Sequence, residues 1–265
     1  MIYKTLKYLP YSLRLPLFYR FFFKNASSRV HLFKDTPLSF SKNAIMDLCP
    51  EDCCHQSIAH TGVFELHLTK LFYQLARNGG NLVDVGANYG YYSLIWASLN
   101  SENHVTSIEP VPSNIKMLRH NIKKNNFSEQ ICVKPLCLGN KIGKMHFDNI
   151  DESQTTWGGL SFKQNNGHEI NVTTLDDIWD FNRSIDLLKI DVEGAELLVL
   201  KGANNLLSLG NIKNIFFEQN LEREQALNID ANASFDYLKH HGFKINSLNN
   251  NKGPVSEYHA FLDKK

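Results

Sequence analysis

Asn81-Leu82-Val83-Asp84-Val85-Gly86-Ala87-Asn88-Tyr89-Gly90-Tyr91-Tyr92-Ser93 reads as a buried β-strand that runs into a glycine-bearing turn and then a helix. Gly86 permits the tight turn, Gly90 lets the start of the helix pack closely, and backbone N–H groups left free in the turn attract electron-rich parts of a nucleotide-like ligand. The spacing is G-x-x-x-G. A dinucleotide fingerprint, G-x-G-x-x-G, needs a further glycine so that the backbone can approach a diphosphate. Asn88 stands at that place and disfavours one.

The run His104-Val105-Thr106-Ser107-Ile108-Glu109-Pro110 is β-rich and ends in an acid about 20 residues beyond the turn, where a ribose reader belongs. Glu109 is expected to accept both hydroxyls of a ribose and to repel a 2′-phosphate. The ligand this describes is an adenosyl compound without phosphates, and S-adenosylmethionine fits. The plain alternative is an ordinary strand, turn and helix with a surface glutamate.

A third stretch, Ile185-Asp186-Leu187-Leu188-Lys189-Ile190-Asp191-Val192-Glu193-Gly194-Ala195-Glu196, completes the pattern. Asp84-Val85-Gly86-Ala87-Asn88-x-Gly90, Glu109-Pro110, Thr174-Leu175-Asp176-Asp177 and Lys189-Ile190-Asp191-Val192-Glu193-Gly194 occur in order. Together they resemble the motifs of FkbM-like S-adenosylmethionine-dependent methyltransferases over about residues 55 to 220, the K-I-D-V-E-G block being the specific part. The resemblance implies an α/β, Rossmann-like class I methyltransferase: a mostly parallel seven-stranded sheet with helices on both faces and an antiparallel last strand. It also implies methyl donation to oxygen and acceptors such as sugars, glycans or small metabolites. Asp84, Ala87 and Pro110 join Gly86, Asn88, Gly90 and Glu109 as expected donor-binding positions on the same ground.

Ligands of open parallel sheets bind beyond the carboxyl ends of the strands, where the glycine turn, Glu109, Asp191 and Glu218 are all expected to fall. Strand alternation puts Leu187, Lys189 and Asp191 on one face. Asp191 is the first candidate for the base that deprotonates a hydroxyl acceptor, with Lys189 orienting it or the acceptor. Glu218 ends a neighbouring strand, so Asp191 and Glu218 are expected to form an acidic pair in which one pKa is raised or both carboxylates hold a divalent metal. A purely structural Lys189–Asp191 ion pair is the competing reading. Glu193 is expected to stabilise the helix start that follows, and Glu196 to sit on its first turn.

A chain of 265 residues with 43% hydrophobic content can build one large α/β domain with a short extension. The expected division is a basic, aromatic extension over residues 1–54 and a methyltransferase domain over 55–265. A formal charge of +1 gives no global reason to expect nucleic acid. Five cysteines without a regular framework suggest a reducing compartment, hence the cytoplasm. Cys49, Cys53, Cys54 and His55 are read as loop or buried thiols with a zinc site as the alternative, and Cys132 and Cys137 as small core residues.

Lys4, Lys7, Arg14, Arg20, Lys24 and Arg29 precede the first acid, Asp35, and are interleaved with tyrosines and phenylalanines. Arg14, Pro16 and Arg20 interrupt any membrane span or signal core. Peripheral contact of residues 1–30 with the inner membrane face and a helix packed on the main domain are both open readings.

Helices are expected near 63–77, 91–99, 112–125, 194–208 and 233–241. Strands are expected near 104–109, 131–138, 185–192, 212–218, 243–247 and 256–263. Between 139 and 183, Lys144–Phe147 and Glu169–Val172 suggest a hairpin that flanks an acceptor-side loop carrying Trp157-Gly158-Gly159. N-methylation and a non-catalytic adenosyl-binding scaffold are the alternatives to O-methylation.

Overall fold

The computed structural model describes residues 6–147, 160–161, 168–248 and 255–263. From the amino terminus the chain forms α1 (Tyr11–Phe21), the short strands β1 (Thr36–Pro37) and β2 (Ile45–Met46), α2 (Cys53–Thr61) and α3 (Leu66–Ala76). It then alternates through β3 (Gly80–Val85), α4 (Tyr91–Leu99), β4 (Asn103–Ile108), α5 (Pro112–Lys124) and β5 (Ile131–Lys134). A second set follows: β6 (Cys137–Leu138), β7 (Gly143–Phe147), β8 (Leu160–Ser161), β9 (His168–Thr173) and α6 (Leu175–Ile178). The last part is β10 (Leu187–Ile190), α7 (Glu196–Lys201), α8 (Asn204–Ser208), β11 (Asn214–Asn220), α9 (Leu221–Ala226), α10 (Ala233–His240), β12 (Lys244–Ser247) and β13 (Val255–Phe261).

The main sheet has seven strands in the order β12-β13-β11-β10-β3-β4-β5, and β13 alone runs against its neighbours. The central strands β3, β10 and β11 carry near-continuous buried runs because both faces are covered there. Leu82, Leu187 and Phe216 meet the layer built with α3, α4 and α5, whereas Val83, Leu188 and Phe217 meet the layer of α7, α8 and α10. Within α3, Leu68, Phe72 and Ala76 recur every fourth residue and are buried, which is why that segment is helical. Gly79, at φ +77°, helps to end it.

Two expected elements divide. The 131–138 run splits at Pro135, which has no N–H to continue a ladder: β5 stays in the main sheet, while β6 joins a four-stranded sheet of order β6-β9-β7-β8. The β7–β9 antiparallel pairing is the expected hairpin, and Trp157 lies outside the described residues. The 194–208 helix breaks at Gly202, where a Cβ would collide with the carbonyl of Gly139. Asp176 then caps the second piece, its carboxylate accepting from the N–H groups of Asn205 and Leu206. Cys137 is buried, but Cys132 is exposed, contrary to the expected core position, because β5 is an edge strand with part of its surface uncovered.

The expected boundary between residues 54 and 55 falls inside α2, whose amino terminus is capped by Asp52 accepting from the N–H groups of Cys54 and His55. Phe33, Leu38, Met46 and Leu48 belong to the main core. One face of α1 is anchored as well. Arg14 is buried and donates to the carbonyl oxygens of Leu9 and Thr61 and to Ser39 Oγ, and Phe18 packs on the His60 ring. Among the described residues, no helix is long and apolar enough to cross a membrane.

Candidate active site

The carboxyl ends of β3, β4, β10 and β11 open onto a cavity of about 620 Å³. It lies where the chain, having built β4 and β5 to one side of β3, returns to place β10 on the other. That is the switch point at which ligands of such sheets bind.

Gly86 and Gly90 adopt left-handed φ of +78° and +95°, and Asn88 tolerates +50°. A Cβ on Gly86 would collide with the backbone carbonyl oxygen of Asp191, so the glycine turn and the K-I-D-V-E-G segment touch main chain to main chain. A Cβ on Gly90 would sit 2.6 Å from Leu118 Cδ1. The turn does not offer the free donors expected of it. Gly86 and Ala87 both donate to the Ile108 carbonyl at 3.0 and 3.1 Å, Asn88 N–H donates to Glu109 Oε2 at 2.8 Å, and Gly90 N–H donates to the Ala87 carbonyl at 2.8 Å. The end of β4, the glutamate that follows it and the turn itself satisfy these groups.

Glu109 also accepts from Val111 N–H at 2.9 Å and Asn114 Nδ2 at 3.4 Å. Three of the roughly four bonds a carboxylate can accept are therefore used, leaving room for about one from a ligand hydroxyl. Burial pushes its pKa up to about 7, against the pull of the Val111 and Asn88 amides.

At the other end of the cavity, Lys189 is almost fully buried. Its ammonium lies 3.2 Å from Asp191 and 3.5 Å from Asp84, and donates to the Gly86 carbonyl at 3.3 Å. Burial lowers its pKa, but Asp191, Asp84 and Glu65 more than offset that and raise it. Glu218 follows Phe217, the register partner of Ile190, and so comes beside Asp191, while Glu257 faces it across β13. Burial, then Asp191 and Glu65, lifts Glu218 to about 10.

Glu65, which sequence reasoning missed, precedes α3 at φ +41° and receives the Tyr92 hydroxyl at 2.6 Å. Burial and its acidic neighbours Glu257 and Asp191 lift it to about 8. Asp191, Glu193 and Glu218 each offer an oxygen within 4.8 Å of the others, so Glu193 joins the pair foreseen as possible ligands of a divalent cation.

Of the expected site residues, Gly86, Ala87, Asn88, Glu109, Pro110, Lys189, Asp191 and Glu218 line the cavity. Asp84 and Gly90 lie beneath it. Asp84 is buried, accepting from Ser93 Oγ at 2.6 Å and pairing with Lys189, so it holds the lysine in place instead of meeting a ligand. Of the two glutamates after Asp191, Glu196 sits on the first turn of α7 as expected, whereas Glu193 does not serve the helix start. Glu196 is buried and accepts from the N–H groups of Val192 and Gly194, whereas Glu193, at φ +55°, lines the cavity and accepts from Asn220 Nδ2. His55 also borders the cavity. It accepts from the Cys49 amide through Nδ1 and is kept neutral by burial, and the cluster of possible metal ligands nearby is Asp52, Cys53 and Cys54, without it.

The raised glutamates fix a stability trend. Glu65, Glu109, Glu193, Glu196 and Glu218 hold protons in the fold at pH values where the unfolded chain, near the ordinary 4.5, has lost them. Each therefore destabilises the fold progressively from about pH 4.5 up to its folded pKa. Below 6.5 the buried His55 and His60 and the half-buried His259, whose pKa values burial lowers, oppose this, because the unfolded state takes up protons there more readily. Between 6.5 and 8 the glutamates dominate, opposed by Cys53, whose pKa the Cys54 hydrogen bond draws down to about 7. The ligand-free protein is expected to melt several degrees lower at pH 8 than at pH 6.5, and Glu65→Gln to flatten that slope. A wild-type melting temperature that rises over this interval contradicts the trend.

The Methyltransferase FkbM domain matches residues 84–245. No curated protein matches the chain. Among solved structures, the methyltransferase FkbM from Methylobacillus flagellatus KT is similar at TM-score 0.50 and 16% identity over 91% of this chain, which spans 58% of that protein's length. The delta-N METTL16 MTase domain is similar at TM-score 0.53 and 15% identity, covering 91% of this chain and 99% of that one. For the human methyltransferase 10 domain containing protein the values are 0.51, 15%, 91% and 99%. At such identities these structures establish a shared Rossmann-like methyltransferase fold. Because the family match takes in the glycine turn, Glu109, Lys189 and Asp191 over more than half its length, the chain belongs to the methyltransferase FkbM domain family.

Proposed function

We propose that the protein transfers a methyl group from S-adenosylmethionine to a hydroxyl oxygen of a sugar, glycan or other small hydroxylated metabolite. The observation that carries this reading is the Lys189–Asp191 pair, which shares one cavity with the glycine turn and Glu109. The cavity suits the donor on its own terms. The glycine turn forms part of its wall, Glu109 keeps about one acceptor site for a ribose hydroxyl, and Ile108, Leu136 and Leu138 offer apolar surface to a flat base.

The bound sulfonium supplies an electrophilic methyl for in-line displacement. Asp191 takes the proton of the acceptor hydroxyl, and Lys189, 3.2 Å away, holds that carboxylate in place. Glu218, protonated until about pH 10, donates a hydrogen bond to the acceptor, and Glu65 with the Tyr92 hydroxyl completes that wall. Asp191, Glu193 and Glu218 are the residues that would hold a divalent metal. Since Lys189 already neutralises Asp191, activity is expected to survive a chelator.

Calorimetry followed by label transfer tests the proposal. S-adenosylmethionine and S-adenosylhomocysteine are expected to bind and NAD not to bind, and Glu109→Gln is expected to weaken donor binding by roughly 1–3 kcal/mol. Label from the donor should then appear in hydroxyl acceptors and not in matched amines. NAD affinity without affinity for either adenosyl compound would falsify the donor assignment. Exclusive labelling of amines would replace O- by N-methylation, and donor binding without transfer to a broad acceptor set would favour a scaffold.

A further inference from the structure

The amino-terminal segment presents a surface that the donor and acceptor assignments leave unexplained. Seven of the eleven exposed large hydrophobic side chains among the described residues lie within residues 8–30, so the apolar exposure is local and not scattered. Tyr8 is 84% exposed, Phe21 64%, Val30 61%, Tyr19 56% and Leu13 49%.

On α1, Arg14 and Phe18 point into the protein, and the opposite face carries Leu13, Pro16, Tyr19 and Arg20. Residues 1–34 contain seven lysines and arginines and no acid, while the remainder of the chain is net acidic. Of these cations Arg20 and Lys24 stand exposed among the aromatic and aliphatic side chains, on a short segment that Arg14 and Phe18 anchor to the domain by its other face.

We infer that this face of residues 6–30 docks on an anionic phospholipid surface. Tyrosine and phenylalanine settle at the headgroup boundary, Leu13 and Val30 gain only where hydrocarbon is within reach, and Arg20 and Lys24 meet lipid phosphates. The aliphatic members favour lipid over single-stranded nucleic acid, which rewards aromatic stacking but gives little to Leu13 or Val30. At 11 residues α1 is too short to span a bilayer and suits a position lying in the interface. Docking brings the cavity close to the membrane, because α2 stands between the two: His60 and Thr61 meet α1, while Cys54, His55 and Ile58 line the cavity. The inference does not depend on which acceptor the protein methylates.

Co-sedimentation of the full chain with phosphatidylcholine vesicles, with and without phosphatidylglycerol, tests it. Binding is expected only to the anionic vesicles and should weaken as salt is raised. The double substitutions Arg20→Gln with Lys24→Gln, and Leu13→Ser with Phe21→Ser, are each expected to lower vesicle partitioning on the order of tenfold while leaving the melting curve unchanged. All four side chains are exposed, so the fold does not depend on them. Equal binding to neutral vesicles, wild-type partitioning in both variants, or retention by single-stranded RNA without vesicle binding overturns the inference.

Discussion

Asp191→Asn is expected to lower turnover on a hydroxyl acceptor by roughly 100- to 10,000-fold while leaving donor affinity within a fewfold of wild type. The amide keeps the size and one oxygen of the carboxylate but cannot take a proton at working pH. Lys189 keeps Asp84 as an ion partner, so the buried ammonium is not abandoned and the variant should fold. Glu218→Gln is expected to act more mildly, because a carboxyl that stays protonated to about pH 10 serves as a donor, and glutamine donates too. Initial rates at saturating donor, with calorimetry on the same preparations, separate the two effects. Wild-type rates in Asp191→Asn would move the base elsewhere, with Glu65 the next group in the cavity.

Gly86→Ala is expected to destabilise the protein by about 2–5 kcal/mol and to abolish measurable donor binding. Two penalties add. A left-handed φ of +78° costs an L-residue about 1–2 kcal/mol, and the new methyl meets the Asp191 carbonyl, a backbone atom that yields only if β10 moves, at about 1–3 kcal/mol more. For a domain of this size the melting temperature should fall by roughly 4–20 °C. Gly210→Ala is the control, since it too has positive φ but nothing within 4 Å of its Cβ, and it should show the conformational penalty alone. Equal losses in the two variants would mean that the close approach to Asp191 contributes little.

The parts of the site legible in the sequence are those written in local patterns. The apolar run into Gly86, the acid closing the next strand and the alternation of Lys189 with Asp191 each depend on neighbours a few residues away, and all converge on the cavity. Glu65 was not legible. It belongs to no motif, stands before α3 in an uncommon left-handed conformation, and is tied to the site through Tyr92 of α4, whose hydroxyl it receives and whose ring lies by the Lys189 ammonium. The paired tyrosines after Gly90 were the one available signal, since consecutive helical residues point in different directions and one of them had to turn toward the strand ends. The occupied turn was hidden for a similar reason: its partner is the Ile108 carbonyl, supplied by a strand about 20 residues away, and the sequence shows the donors without their acceptor.

That closed turn bears on how ligands arrive. Gly86, Ala87, Asn88 and Gly90 have their amides engaged by the protein itself, so a ligand meets a loop already in its final shape. Ordering a slack loop of this length would take about 1–2 kcal/mol per residue out of the association free energy. Here that loss falls on folding and is shared by every encounter with every ligand. Association at this end of the cavity is therefore of the lock-and-key kind, and any induced fit is left to the acceptor side.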